Sequence, residues 1–320
     1  MFRAALAALV FLALSANAAP AAAQDLGEYA FTQDYEPSPA IWRVADEDTT
    51  IWMFGTYHVL PRGFRWRSER LDAIIEEAEM LVVETSDYDI ADDAIDIDTK
   101  LEARLASREP TSQRLSSAAR MRWRQLIHLS GQDFDAIDEM PVLLALLSLS
   151  MTSGEAPHYI SSNAYGVETV LESAFAVQDK PILSIEDAGG VMYSLLRLDG
   201  DELIADLDGR LVAWASKKSD HFYDPEHVAK TGDAYWETEH AWARGVVAEH
   251  FDMGFGDGAI GVAFDGALLA RRNTAWAEWI ETRLEEPGTI LLAVGAGHFE
   301  GDVSVQVKLA ERGIATERVE

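Results

Sequence analysis

The chain has no cysteine among its 320 residues, which excludes disulfides, thiolate metal ligands and a lipid anchor on an N-terminal cysteine. Basic residues are scarce too, 26 Lys and Arg against 55 Asp and Glu. Nucleic acids and anionic bilayers are recognised through basic patches, so neither is expected as a partner. Past the N-terminus, no apolar run approaches the roughly 20 residues that span a bilayer. The apolar stretches at 143–149 and 290–294 are core-sized. There is no internal repeat, no low-complexity linker and no His-Glu-x-x-His, the helical zinc-peptidase signature. What remains is a chain long enough to be held together by a packed core alone.

The first 24 residues have a different character. Arg3 supplies one positive charge, residues 4–16 are Ala, Leu, Val and Phe broken by Ser15, and small-residue sites end at Ala18 and Ala23. That order is a secretory leader. It predicts a periplasmic or secreted protein whose mature N-terminus falls between Ala19 and Asp25. The expected organisation is a cleaved segment over 1–24, a flexible stretch over 25–37 and a single domain over 38–320.

Two short apolar runs, 40–45 and 50–55, flank the polar residues 46–49 and predict a hairpin. Leu71, Ile74, Ile75 and Ala78 share one helical face, with Ser68 as the N-cap. Residues 80–84 have the composition of a buried strand. From 91 to about 149 the pattern is helical, punctuated by Pro110 and Gly131, and Pro141 opens an apolar helix. A helix over 166–177, a strand over 181–186 and three or four helices over 189–286 follow. The end is a strand over 289–294, a helix over 303–312 stopped by Gly313, and a strand over 314–319. The fold class is therefore α/β: a mixed sheet with strands from both ends of the chain, covered by helices and carrying a large central helical region.

Chemistry concentrates where strands end. Gly55-Thr-Tyr-His58 follows one apolar strand and Gly295-Ala-Gly-His298 follows another. Ligands of open α/β sheets bind outside strand ends, and glycine lets the chain turn sharply there. Each imidazole is a candidate metal ligand, general base or hydrogen-bond donor. Glu84 and Glu186 close two further strands and are expected at the same crevice. Carboxylate with imidazole is a ligand set for Zn, Mn or Fe and equally an acid–base pair. Arg272, in a late helix, is a candidate bidentate partner for a substrate carboxylate. The remaining histidines, 128, 158, 221, 227, 240 and 250, lack motif context and are assigned structural or exposed roles. Trp236, Trp242, Trp276 and Trp279 are assigned to helix packing.

These segments, taken in order, resemble the TraB/PrgY/GumN family. The resemblance rests on residues 40–44, Phe54-Gly-Thr-Tyr-His-Val59 and Leu81-Val-Val-Glu84. It continues through Gly166-Val-Glu168, Leu183-Ser-Ile-Glu186, Arg272-Asn273 and Ala293-Val-Gly-Ala-Gly-His298, covering about 38–320. It implies a fold related to the Tiki proteases and the erythromycin-esterase/ChaN-like group. By that likeness a divalent metal (Mn, Co, Zn or Fe) is expected on His58, His298 and Glu168, with Glu84 and Arg272 catalytic. Glu186, Asn273 and Tyr57 then take substrate or second-shell positions. Glu168 stands where the family commonly has Asp, and Ser184 where it commonly has Gly. The implied function is metal-dependent hydrolysis of a peptide or other small substrate. The alternative is a non-catalytic periplasmic protein binding peptide, haem or saccharide.

Overall fold

The computed structural model describes residues 26–86, 88, 98–151, 160–216, 218–226, 228–251 and 254–319. The expected leader over 1–24, the first residues of the helical stretch from 91, His158 and His227 lie outside them.

The hairpin forms as expected: β1 (Ile41–Ala45) pairs antiparallel with β2 (Thr49–Thr56). Asp46 closes the turn, its Oδ1 accepting the Asp48 and Thr49 amides at 3.2 and 2.9 Å. After the short β3 (Leu60–Pro61), α1 (Glu69–Glu77) starts at Ser68, whose Oγ accepts from the Leu71 amide at 3.1 Å. β4 (Met80–Val83) follows.

The central helical region comprises α2 (Thr99–Ala106), α3 (Thr111–Arg114), α4 (Ser117–Ser130), α5 (Phe134–Asp138) and α6 (Val142–Met151). Gly131 ends α4 in the left-handed conformation, φ 71°. β5 (Ser161–Ser162) pairs with β3, and α7 (Val167–Val177) leads to β6 (Ile182–Ser184). The next stretch is cut into more and shorter pieces than its hydrophobic pattern predicts. They are α8 (Ala188–Leu196), α9 (Asp201–Ala213), α10 (Asp220–Tyr223), α11 (Glu237–Ala243) and α12 (Ala259–Phe264). A π-helical turn, Asp265–Ala270, then runs directly into α13 (Arg271–Arg283). Gly245, at φ 78°, is one such interruption: a left-handed residue just past α11 cannot continue the helix. β7 (Gly288–Gly295), α14 (Val305–Glu311) and β8 (Glu317–Val319) complete the chain.

The sheet has six strands in the order β6-β4-β7-β2-β1-β8. The first four are parallel, and β1 is antiparallel to both β2 and β8. β7, from near the end of the chain, lies between β4 and β2. Alternating side chains feed two cores. On one face Phe54, Leu81, Val83, Leu291 and Ala293 pack with Leu71 and Ile74 of α1 and Val167 and Leu171 of α7. On the other, Met53, Val82, Leu292 and Val294 pack with Trp276 and Ile280 of α13 and Leu309 of α14. Both faces are covered, which is why these strands are continuously apolar rather than alternating. A third core, built by α2, α4, α6 and α9 with Phe255 and Phe264, belongs to the helical region. No helix among the described residues is long and apolar enough to cross a membrane.

One polar knot locks the helical region. Buried Asp138 accepts from the Ser112 amide (2.7 Å), the Ser112 hydroxyl (2.6 Å) and Trp123 Nε1 (2.9 Å). Asparagine keeps the oxygen that takes the Ser112 amide and Trp123, and sets an N–H₂ against the Ser112 hydroxyl, whose own proton then loses its acceptor. Asp138→Asn is therefore expected to cost about 1–3 kcal/mol, the penalty for one buried unpaired donor. Chemical denaturation measures it, and no change in midpoint would contradict the role given to this knot.

Candidate functional site

The carboxyl ends of the four parallel strands share one edge of the sheet, and the chain leaves each of them carrying polar residues. β2 leads to His58, β4 to Glu84, β6 to Glu186 and β7 to His298. The register aligns Thr56 with Gly295 and Val83 with both Ala293 and Ser184. The residues singled out at strand ends thus emerge from neighbouring strands.

Arg272, on the first turn of α13, ties two of them together. Its Nε donates to Glu186 Oε2 at 2.8 Å, and its Nη2 donates to Glu186 Oε1 and to Glu84 Oε2. Nη1 donates to the Leu268 carbonyl at 3.0 Å, within the π-helical turn. The guanidinium fork expected to receive a substrate carboxylate is instead closed on Glu186. The physical reason is proximity to two largely buried carboxylates that need a cation. Glu84 Oε1 accepts the Gly295 amide at 2.7 Å. Burial alone would raise the Glu84 pKa, but Arg272, then the two histidines and the Gly295 amide, bring it down to about 2. Burial dominates at Glu186, whose pKa is raised despite its contacts with Arg272 and Trp276.

His298 lies in a 3₁₀ turn after β7 and is 4% exposed. Its Nδ1 contacts Asn273 Oδ1 at 2.6 Å. Asn273 Nδ2 donates to the Val303 carbonyl at 2.8 Å, which fixes Oδ1 as the acceptor. His298 therefore carries its proton on Nδ1 and presents the Nε2 lone pair, 3.7 Å from Glu84 Oε1. Burial first, with Arg272 and His58 helping and Glu84 opposing, holds its pKa at about 3. It is a neutral imidazole at neutral pH.

His58 has a different environment. Its Nδ1 lies 2.9 Å from Glu168 Oε1, and its side chain is 65% exposed. The hydrogen bond to Glu168, with the charges of Glu168 and Glu84, raises its pKa to about 9. Thr56 Oγ1 also donates to Glu168 Oε1, while Glu168 Oε2 is buried without a hydrogen-bond partner among the described residues. The direct pairs are thus His58–Glu168 and His298–Glu84, joined by the field of His58, which acts on both Glu84 and His298.

Gly166 brings the first pair together. It precedes α7, and the Val167 amide donates to the Tyr57 carbonyl at 3.0 Å. A Cβ on Gly166 would stand 2.1 Å from the His58 carbonyl oxygen. Its φ of −61° suits any residue, so close approach is the whole requirement for glycine here. Gly166→Ala must move backbone, at an expected cost of about 1–3 kcal/mol. Loss of the His58–Glu168 hydrogen bond should accompany it, visible as a shift of the His58 imidazole resonances. An unaltered stability and spectrum would refute the contact.

Tyr57, expected near the substrate, has its observed ring contact elsewhere. It packs on Trp242, ring centroids 5.1 Å apart, and its hydroxyl pKa is raised by burial and by Glu239 and Glu300. Trp276, expected to serve helix packing, does so in the core beneath the sheet and also touches the site. Its Nε1 donates to Glu186 at 3.2 Å, its ring meets His298 at 4.2 Å between centroids, and Arg272 lies over it at 4.8 Å. The signal was present: Trp276 follows Arg272 by four residues, one helical turn.

Comparisons with curated proteins and with solved structures returned no match. The model of the TraB/PrgY/gumN family matches residues 40–318, the span holding every residue just described, and the chain belongs to that family.

Proposed function

We infer that this protein is an exported metal-dependent hydrolase acting on peptides or similar carbonyl substrates. The observation that carries the reading is His298: a neutral imidazole, its Nδ1 proton engaged by Asn273, with its Nε2 lone pair toward an ionised Glu84. That is how proteins orient a histidine ligand. The buried, unpartnered Glu168 Oε2 beside His58 is the second feature that suits a divalent cation. No group of three or more such donors stands preassembled among the described residues, so binding requires side chains to close.

His58, His298 and Glu168 are the proposed ligands, for Mn, Co, Zn or Fe. When bound, such a cation supplies Lewis acidity and activates water near neutral pH. Uptake competes with the proton that Glu168 holds on His58. Glu84, ionised down to about pH 2, is a fixed negative charge, too weakly basic to be an efficient proton acceptor near neutrality. Arg272, clamped by Glu186 and backed by Trp276, keeps Glu84 in place. Export rests on the leader-like residues 1–24.

Metal analysis of the mature protein after mild purification, followed by peptide turnover with and without a chelator, tests the proposal. About one divalent metal per chain is expected, with turnover lost on chelation and restored by the metal. Asn273→Ala should weaken metal binding by about 10–100-fold, the usual cost of losing the partner of a ligating histidine. His128→Ala should not. Failure to take up any divalent metal would overturn the assignment. Peptide, haem or saccharide binding without turnover would favour the non-catalytic alternative.

A further inference from the structure

A second polar site lies away from the strand ends, between the lead-in to β1 and α11. A cleft of about 480 Å³ is lined there by Thr32, Asp34, Asp233, Glu237, His240 and Arg244, with Ala234 as its apolar wall. Residues 26–38, part of which was expected to be flexible, have tertiary partners along this border. The Thr32 amide donates to Asp233 Oδ1 at 2.6 Å, the Trp236 indole to the Tyr29 carbonyl at 2.8 Å, and the Ser38 amide to the Ala243 carbonyl at 2.8 Å.

His240 is the unusual member. Its side chain is 5% exposed, and its Nε2 is buried with no hydrogen-bond partner among the described residues. The nearest carboxylate oxygen, Asp233 Oδ1, is 3.7 Å away, beyond hydrogen-bond reach. The tautomer follows from its neighbours. The Arg65 amide donates to Gln33 Oε1 at 2.6 Å, which fixes the orientation of that side-chain amide. Gln33 Nε2 then donates to Tyr35 Oη at 3.1 Å. The Tyr35 proton therefore goes to His240 Nδ1, 2.6 Å away, leaving Nε2–H as a donor in need of an acceptor.

Exposed charges of both signs line the cleft beside it, two of them without a hydrogen-bond partner among the described residues. The Arg244 guanidinium carbon lies over the Tyr35 ring, 4.1 Å from its centroid, and among the described residues the guanidinium has no acceptor. Asp34 has no donor there. Glu237 is already paired with Lys230 at 2.9 Å. An anion alone would face three carboxylates, and a cation alone would face Arg244. A saccharide needs an apolar platform, but Ala234 is the apolar lining and Arg244 covers the Tyr35 face.

We propose that this cleft binds a small zwitterion, a free amino acid or short peptide, with its carboxylate on Arg244 and His240 Nε2–H and its ammonium on Asp34 and Asp233. Asp233, 59% exposed, gives up its bond to the Thr32 amide when the carboxylate reaches His240. The site is independent of the metal-dependent reaction proposed above.

Calorimetric titration of the mature protein with L-alanine, L-glutamate and glycylglycine tests it, with acetate, ethylamine and trehalose as controls. At least one zwitterion should bind saturably, at one per chain, with a Kd of about 1 mM or tighter. Arg244→Met and Asp34→Asn, both exposed substitutions, should each weaken that binding at least about tenfold without lowering thermal stability. Glu84→Gln should leave it unchanged, which separates this cleft from the strand-end site. No zwitterion binding, binding that survives Arg244→Met and Asp34→Asn, binding that Glu84→Gln removes, or equal binding of the controls would overturn the proposal.

Discussion

Arg272→Met is expected to lower stability by about 3–5 kcal/mol, the usual cost of stripping a buried charge of its partner. Glu84 and Glu186 are 17% and 13% exposed and both lean on this one guanidinium. Methionine fills the space of the stem but leaves two carboxylates facing each other. The pH dependence has a definite sign. In the native protein Glu84 titrates near 2 instead of 4.5, so its stabilising contribution is present above about 4.5 and is lost as pH falls through 2. Without Arg272, burial of Glu84 is opposed only by the two histidines and the Gly295 amide, so its pKa rises, as burial already raises that of Glu186. The variant's deficit should therefore be greatest near neutral pH and shrink as the medium is acidified and the carboxylates take up protons. Denaturant titrations at about pH 7 and about pH 4.5 measure both features. A deficit under about 1 kcal/mol, or one that does not change with pH, would mean that the ion triad is not what holds this edge of the sheet.

Glu84→Gln is expected to reduce metal affinity and turnover together, turnover by about 10²–10⁴-fold, comparable to losing an acid–base group. The amide has one acceptor oxygen where the carboxylate has two, yet both Arg272 and the Gly295 amide donate to this side chain. One of those donors must lose its acceptor, and the negative charge beside His298 Nε2 disappears. If metal content stays at the native level while turnover collapses, Glu84 is the proton acceptor after all, despite its low basicity. If neither quantity changes, Glu84 has no part in the chemistry. Parallel measurement of metal content and peptide turnover on the same preparation distinguishes the three outcomes.

Local signals were sufficient wherever a residue's fate depends on its immediate neighbours. Asp46 makes the hairpin turn, Ser68 caps α1 and Gly131 ends α4 because side-chain-to-backbone bonds and left-handed φ angles are decided within a few residues. The segment 189–286 was harder to divide. Its apolar residues keep helical spacing across interruptions such as Gly245, and a hydrophobic pattern does not register a single left-handed residue. Trp276 packs in the core as its spacing predicts, and its second role is added by the fold: an indole can fill a core and donate a hydrogen bond at once, and its position in the sequence shows only the first.

The order of elements, the strand-end positions of His58, Glu84, Glu186 and His298, and membership of the TraB/PrgY/gumN family were all present in the order of residues. They follow from periodicity, from glycines before histidines and from motifs in sequence order. The partnerships were not. That β7 inserts between β2 and β4, and so brings Gly295 against Glu84, depends on a pairing between strands about two hundred residues apart. That Arg272 closes on Glu186 rather than standing open depends on where α13 lies against the sheet. Only the folded geometry separates the charge states of the two histidines as well, exposed His58 held protonated by Glu168 and buried His298 kept neutral. Solvation and the distance to a carboxylate are properties of the assembled site, and two motifs of the same Gly-x-x-His form carry neither.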